Sequence, residues 1–320
     1  MQAVSVLALA LTLLAATSAA AETIYVSNEQ DNTIAVIDGA TLAVAATIPV
    51  GRRPRGIALS PDRRRLFVAV GDDNRIDVVD IPSRKVVDAL PSGEDPELFV
   101  VHPDGERLFV ANENDNQVTV VDIAGKKIVQ AIEVGVEPEG MAVSPDGKLV
   151  VCTSESTGMV HVIDATSYEV VDNVLVDTRP RAAAFSPDGR RIWVSSELRG
   201  TVTVMDAEGR GSPATVEFSI PGVPRELVQA VGLALARDGR AYVALGPANR
   251  VAEIETKSLK VLRYYLVGQR VWNIALSADE KRLYTANGNS GDVTVIDLER
   301  REPVKSIPVG RSPWGVAVGP

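Results

Sequence analysis

Cysteine occurs once in the 320-residue chain, at Cys152, and histidine twice, at His102 and His161. A single cysteine excludes internal disulfides, Cys-based metal clusters and CxxCH haem attachment. Neither histidine has a partner at metal-ligand spacing, and no serine has a base in view for nucleophilic catalysis. Glycine-rich loops that run from a strand into a helix are missing too, which excludes a phosphate cradle of the nucleotide-binding kind. There is no basic surplus. With 33 Lys and Arg against 42 Asp and Glu the formal charge is −9, whereas a nucleic-acid binder wants a basic stripe. Past residue 21 no apolar run reaches membrane-spanning length. Helical periodicity, Ala-rich filler and capping boxes are absent throughout.

The first 21 residues hold no charge, carry the apolar run "VSVLALALTLLAA" and end in "TSAAA" before Glu22. Ala19 and Ala21 are the small residues expected ahead of a cleavage point, so residues 1–21 read as a secretory signal, although no Lys or Arg precedes the run. The expected product is one exported, periplasmic domain over residues 22–320, monomeric and without a membrane span. With no disulfide available, packing must stabilise it.

One phrase returns along the mature chain. "SPD" places Pro-Asp at Pro61-Asp62, Pro103-Asp104 (with His102 in the Ser position), Pro145-Asp146 and Pro187-Asp188, a constant step of 42. Degraded equivalents of the proline follow at Arg237, Ala278 and Pro320, after steps of 50, 41 and 42. Each copy holds four short runs with apolar alternation, as in "GMAVS", "KLVVCTS", "GMVHVID" and "EVVDNVLV", the signature of half-buried strands. Between the second and third runs a tight turn ends in Asn32, Asn74, Asn116, Gly158, Gly200, Asn249 or Gly291. Asn and Gly tolerate the positive φ that a short hairpin loop demands. Four antiparallel strands per 42 residues, seven times over, predict an all-β, seven-bladed β-propeller. The chain opens on the second, third and fourth strands of a blade ("TIYVSN", "NTIAVID", "AATIPVG") and ends on a first strand ("PWGVAVGP"). The N-terminal three strands and the C-terminal one are therefore expected to complete the seventh blade together.

The segments "LFVANENDNQVTVVD", "IYVSNEQDNTIAVID" and "LYTANGNSGDVTVID" resemble the YVTN-type β-propeller repeat. A leader followed by seven such repeats is similar to the exported propeller proteins associated with PQQ-dependent alcohol catabolism, and the resemblance covers the whole mature chain. It implies a periplasmic protein partner, a quinoprotein dehydrogenase or a transporter component.

In a propeller the first strand of each blade lines the channel, and the connection entering it opens at one mouth. Aligned copies place Arg55, Glu97, Glu139, Arg181, Val231, Trp272 and Trp314 at the strand entrance. Two residues earlier stand Arg53, Asp95, Glu137, Arg179, Gln229, Arg270 and Ser312. Scaffold positions repeat between copies while these do not. Arg53, Arg55, Arg179, Arg181 and Arg270 are candidate carboxylate binders, and Trp272 and Trp314 candidate stacking platforms. Together they would suit a small anionic ligand, with the planar cofactor PQQ as one fit. Asp95, Glu97, Glu137 and Glu139 form a candidate hard-cation site. The competing interpretation is a rim of solvated ion pairs that neutralise one another. The fifth copy's insertion, mostly "PGVPRELVQAV" (Pro221–Val231), reads either as a lid or as a tolerated surface loop. His161 is expected in an outward-facing register, and Cys152 in the core.

Two functions from different classes follow. The first is a non-enzymatic exported propeller that binds a small ligand or partner protein at its mouth, accessory to PQQ-dependent oxidation or an associated transporter. The alternative is a lactonase-like hydrolase, with Glu97 or Glu139 as base and an arginine polarising the carbonyl. A quinoprotein dehydrogenase is disfavoured, since the chain is short and lacks a cysteine pair.

Overall fold

Runs such as "RLFVAN" (Arg107–Asn112) and "QVTVVD" (Gln117–Asp122) are rich in β-branched and aromatic residues, which suit a pleated surface, and nearly every position along them is buried. A computed structural model describes residues 22–319, so residues 1–21, where the signal was expected, and Pro320 lie outside the described part. Among the described residues there are 28 strands, two short 3-10 turns and no α-helix. The strands form seven four-stranded antiparallel sheets, the blades of a seven-bladed β-propeller.

Blade 1 is the composite one. Its strand order is Pro313–Gly319, Thr23–Asn28, Thr33–Asp38, Ala43–Pro49, so the two ends of the chain share one sheet. Blades 2 to 7 then follow in sequence, starting at the inner strands Pro54–Leu59, Pro96–Val101, Pro138–Val143, Pro180–Phe185, Leu233–Leu235 and Val271–Leu276. Each inner strand touches the next, and the inner strand of blade 7 touches that of blade 1, which closes the ring. Between blades lie apolar clusters such as Phe109, Val118, Met141, Val150 and Cys152. Cys152 is fully buried, as expected of a small core residue.

Turn chemistry follows the sequence pattern closely. Asn32, Asn74, Asn116, Gly158, Gly200, Asn249 and Gly291 have φ of 56°, 52°, 56°, 62°, 66°, 55° and 70°. At the opposite face Ser60, Ser144, Ser186 and Ser277 each bond the Asp two residues on and cap a later backbone N–H, which fixes the "SPD" turn. Each loop entering the mouth is clasped by the next blade's hairpin turn. Asp73 accepts from the Arg52 N–H at 2.9 Å, and at the seam Asp31 accepts from the Arg311 N–H at 2.7 Å. The closing contact thus repeats the chemistry of the internal ones.

His161 is not outward-facing. It is 5% exposed, bonded to Asn173 and to the Gly135 N–H at 2.9 Å, and burial pushes its pKa down. Alternation along the strand misled here, because both faces of the third strand are covered. The Pro221–Val231 insertion is anchored rather than free. Val228 and Ala230 sit in the core between blades 5 and 6 and Val231 is buried beside them, while Pro221, Gly222 and Pro224–Leu227 are exposed.

Convergence at the axis leaves no room for a side chain at certain inner positions. A Cβ on Gly56, Gly140 or Gly315 would lie 2.4, 2.4 or 2.5 Å from the carbonyl oxygen of Glu97, Arg181 or Arg55 in the next blade. Gly140→Ala is expected to cost about 2 kcal/mol, read as a lower denaturation midpoint with unchanged slope in urea.

Candidate functional site

Every inner strand except that of blade 6 begins with a register shift, as between Pro54 and Ile57 or Pro138 and Met141. Such bulges re-aim side chains, and the residues inside them include Arg55, Glu97, Glu139 and Arg181. The residue just before each bulge's proline is held at positive φ: Arg53, Asp95, Glu137 and Arg179 at 56°, 57°, 58° and 58°. Arg270 and Ser312 take the same conformation at 55° and 53°. Their carbonyls accept from a third circle of residues, where the second strand ends: Glu29, Gly71, Glu113, Glu155, Glu197 and Gly288.

That third circle was not among the candidates, yet it brings the counter-charges. Glu97, fully buried, accepts from Arg55 at 2.7 Å and Arg53 at 3.1 Å. Arg53 also reaches Asp95, and Arg55 reaches Glu29 at 3.4 Å. On the other side of the mouth Arg181 meets Glu139 at 3.2 Å and also Glu155, while Arg179 meets Glu155 at 2.8 Å and Glu197 at 3.4 Å. Arg270 crosses over blade 6 to Glu197 at 2.7 Å and holds Gln229 at 2.6 Å. The signal was present in the sequence: Glu29, Glu113, Glu155 and Glu197 follow the second strands of their copies at the repeat period.

All five candidate arginines are therefore paired with carboxylates, mostly from other blades. Eight acids (Glu29, Asp95, Glu97, Glu113, Glu137, Glu139, Glu155, Glu197) share the mouth with those five bases. Burial and the nearby charge of Glu97 and Glu155 push the Glu139 carboxyl well above the usual range, against the pull of Arg181. Glu97 moves the other way: Arg55 and Arg53 outweigh its burial and hold it low. Glu113, half-buried and hydrogen-bonded to Glu97, is raised to about 7 by burial first and by the Glu97 charge second. Protons on Glu113 and Glu139 thus offset part of the acid surplus near neutral pH.

The predicted residues separate on inspection. Trp272 is half-exposed, with the Arg270 guanidinium 4.0 Å from its ring centre. Trp314 is 2% exposed and lies under Arg55 at 5.7 Å, so it presents no stacking face. Of the candidate cation ligands, Asp95 and Glu97 come together with Glu113, their nearest oxygens all within 4.8 Å. Glu137 and Glu139 stand outside that group; Glu137 bonds Ser156 and Glu139 faces Arg181. Two arginines already serve the Asp95–Glu97–Glu113 group, which lowers its appetite for a cation. Glu97 Oε2, Arg55 Nε and Trp314 Nε1 are buried without a hydrogen-bond partner. Arg181 Nε and Glu197 Oε2 face each other at 3.6 Å, beyond hydrogen bonding.

Residues 61–147 match the family model described as YNCE-like beta-propeller, and residues 165–303 match that described as Lactonase, 7-bladed beta-propeller. No curated protein matches the chain. Among solved structures it is similar to Kuenenia stuttgartiensis hydrazine synthase, with 23% identity, TM-score 0.79, and 86% of this chain and 92% of that one covered. The periplasmic gluconolactonase PpgL of Pseudomonas aeruginosa is similar at 20% identity and TM-score 0.77, with 93% and 99% covered. A putative 6-phosphogluconolactonase of Bacteroides fragilis is similar at 16% identity and TM-score 0.78, with 95% and 99% covered. Identities this low speak for the shared propeller fold.

The raised carboxyl at Glu113 has a stability consequence with a definite sign. Between about pH 4.5 and 7 the folded state holds a proton that the unfolded chain has lost, so stability falls as pH rises through that window. Glu113→Gln is expected to flatten the fall by about 1–2 kcal/mol after allowance for solvent screening, measured as denaturation midpoint against pH. Arg181→Ala leaves Glu139 buried without its ion-pair partner and Glu155 with Arg179 alone, and is expected to cost about 3–5 kcal/mol. In chemical denaturation that loss should be smaller at pH 5.5 than at pH 8, because protonation relieves the stranded acids.

Proposed function

We propose that the protein is an exported binding propeller that holds a small polar ligand over its channel mouth. The observation that carries the reading is the fixing of five divergent arginines by carboxylates from other blades, which makes the mouth a preorganised polar surface. Preorganisation lowers the entropy lost on binding, and divergence among otherwise similar copies concentrates there. Ligand charge follows from the same pairing. An anion such as PQQ would have to pull guanidinium groups from buried carboxylates and sit among surplus acids. An uncharged ligand meets neither cost. A periplasmic quinoprotein dehydrogenase or transporter component, suggested by the repeat resemblance, is retained as the proposed partner.

Mass spectrometry of protein purified natively from the exported fraction is expected to recover an uncharged polar molecule that protects against thermal unfolding when added back. Tight PQQ binding that Arg53→Ala abolishes would reverse the charge argument. Absence of any stabilising small molecule would remove the reading.

A second reading, lactone hydrolysis, is favoured by Glu113, a solvent-reaching carboxyl held near neutrality beside Glu97 and Arg55. It is also supported by the lactonase family match and the gluconolactonase structures. In this reading the Glu113 carboxylate takes a proton from water as the water oxygen attacks the lactone carbonyl. The ring C–O bond then breaks and the ring oxygen leaves with that proton, giving the hydroxy acid. Glu113→Gln should lower kcat by about 10²–10⁴-fold, and the wild-type profile should show a limb near pH 7. An unchanged rate in the variant rejects the assignment.

A further inference from the structure

Blades 6 and 7 give their part of the mouth a different chemistry from the rest. Where the third circle carries Glu in blades 1, 3, 4 and 5, it carries Gly246 and Gly288 here; blade 2 also has a glycine, Gly71, but the Arg53 guanidinium lies against it. A solvent-open cavity of about 500 Å³ results, lined by Pro247, Asn249, Gln269, Arg270, Trp272 and Asn289. That volume lies within the range of small-ligand sites, and no carboxylate lines it.

The lining is rigid where it is aromatic. A Cβ on Gly288 would lie 2.5 Å from Trp272 Nε1 and 2.7 Å from Cδ1, so the indole rests on bare backbone that only glycine leaves clear. Arg270 covers a ring face from 4.0 Å, the Arg181 guanidinium stands 5.5 Å from the ring centre, and the remainder of the indole lines the cavity. The Arg270 charge is already met by Glu197, and Gln229 takes a further N–H, so the pocket has no unbalanced cation to offer. Three carboxamides complete the wall. Asn249 Oδ1 accepts the Arg270 backbone N–H at 2.9 Å, which leaves its NH₂ for a ligand. Gln269 and Asn289 are exposed.

Resting on the mouth as the ligand site, the geometry points to a subsite for an uncharged, polyhydroxylated ring of pyranose size, with its C–H groups against the part of Trp272 that lines the cavity and its hydroxyls on Gln269, Asn289 and Asn249. A carboxamide offers both donor and acceptor, matching a hydroxyl that is both. An aromatic face with a negative quadrupole attracts polarised C–H groups. A charged ligand finds no counter-charge and pays desolvation.

The chain's own tryptophans make the test direct. Trp193 and Trp314 are 0% and 2% exposed, which leaves Trp272 to report on a ligand. Full-length protein is titrated with methyl glucoside and myo-inositol as uncharged rings, with gluconate as an anion and benzamide as a flat aromatic. Emission and calorimetry are read together. The expected result is saturable binding of an uncharged ring, with an emission change that vanishes in Trp272→Phe. Affinity should drop tenfold or more in Trp272→Ala and several-fold in the Gln269→Ala, Asn289→Ala double variant.

Preference for gluconate or benzamide, or no binding of either uncharged ring, overturns the subsite. So does unchanged affinity in Trp272→Ala. If Trp272→Ala is silent while Glu97→Gln abolishes binding, the subsite falls and the mouth reading stands. A copurifying ligand that protects the protein decides the mouth reading separately.

Discussion

Seven inner strands must approach one axis closely enough for backbone to meet backbone, and the ring exists only if the last of them finds the first. Glycine at four of the strand entrances (Gly56, Gly140, Gly232 and Gly315) sets the approach, with carbonyl oxygens of the next blade occupying the space of a Cβ. The same convergence turns the mouth into a crowded place. Side chains re-aimed by the entrance bulges have nowhere to go except towards one another, and the charged ones must find partners there or be expelled.

Crowding explains the electrostatic pattern. Guanidinium and carboxyl groups this well buried would each cost several kcal/mol alone, so each charge is met by others arriving from neighbouring blades. Pairing is not symmetrical, however. Acids outnumber bases, and burial pushes Glu139 and Glu113 towards their neutral forms. The ion network runs across blades 1 to 5 and is joined by Arg270 of blade 7 through Glu197, while an uncharged bay opens around Trp272.

Much of the fold was legible from residue order. The step of 42, the Asn or Gly at each hairpin and the "SPD" turns are local signals, and the composite blade follows from which strand the chain starts and stops on. The rings Arg55 to Trp314 and Arg53 to Ser312 were likewise legible as places where copies disagree. What escaped was the third circle. Glu29, Glu113, Glu155 and Glu197 looked like turn residues after a second strand, and nothing local says that such a turn bends back over the channel. His161 escaped for a related reason, since alternation along a strand cannot tell a solvent face from one covered by the next blade.

Periodicity alone determined that this chain is a ring of seven four-stranded blades, because strand pairing and hairpin geometry depend on neighbours in sequence. Only tertiary structure decided what the mouth is chemically. Arg270 finds Glu197 across 73 residues and an intervening blade, and Trp314 disappears under Arg55 although Trp272, its equivalent in the preceding repeat, stays half-exposed. Such meetings are set by how blades stack around an axis, and charge, protonation and exposure at the site all follow from them.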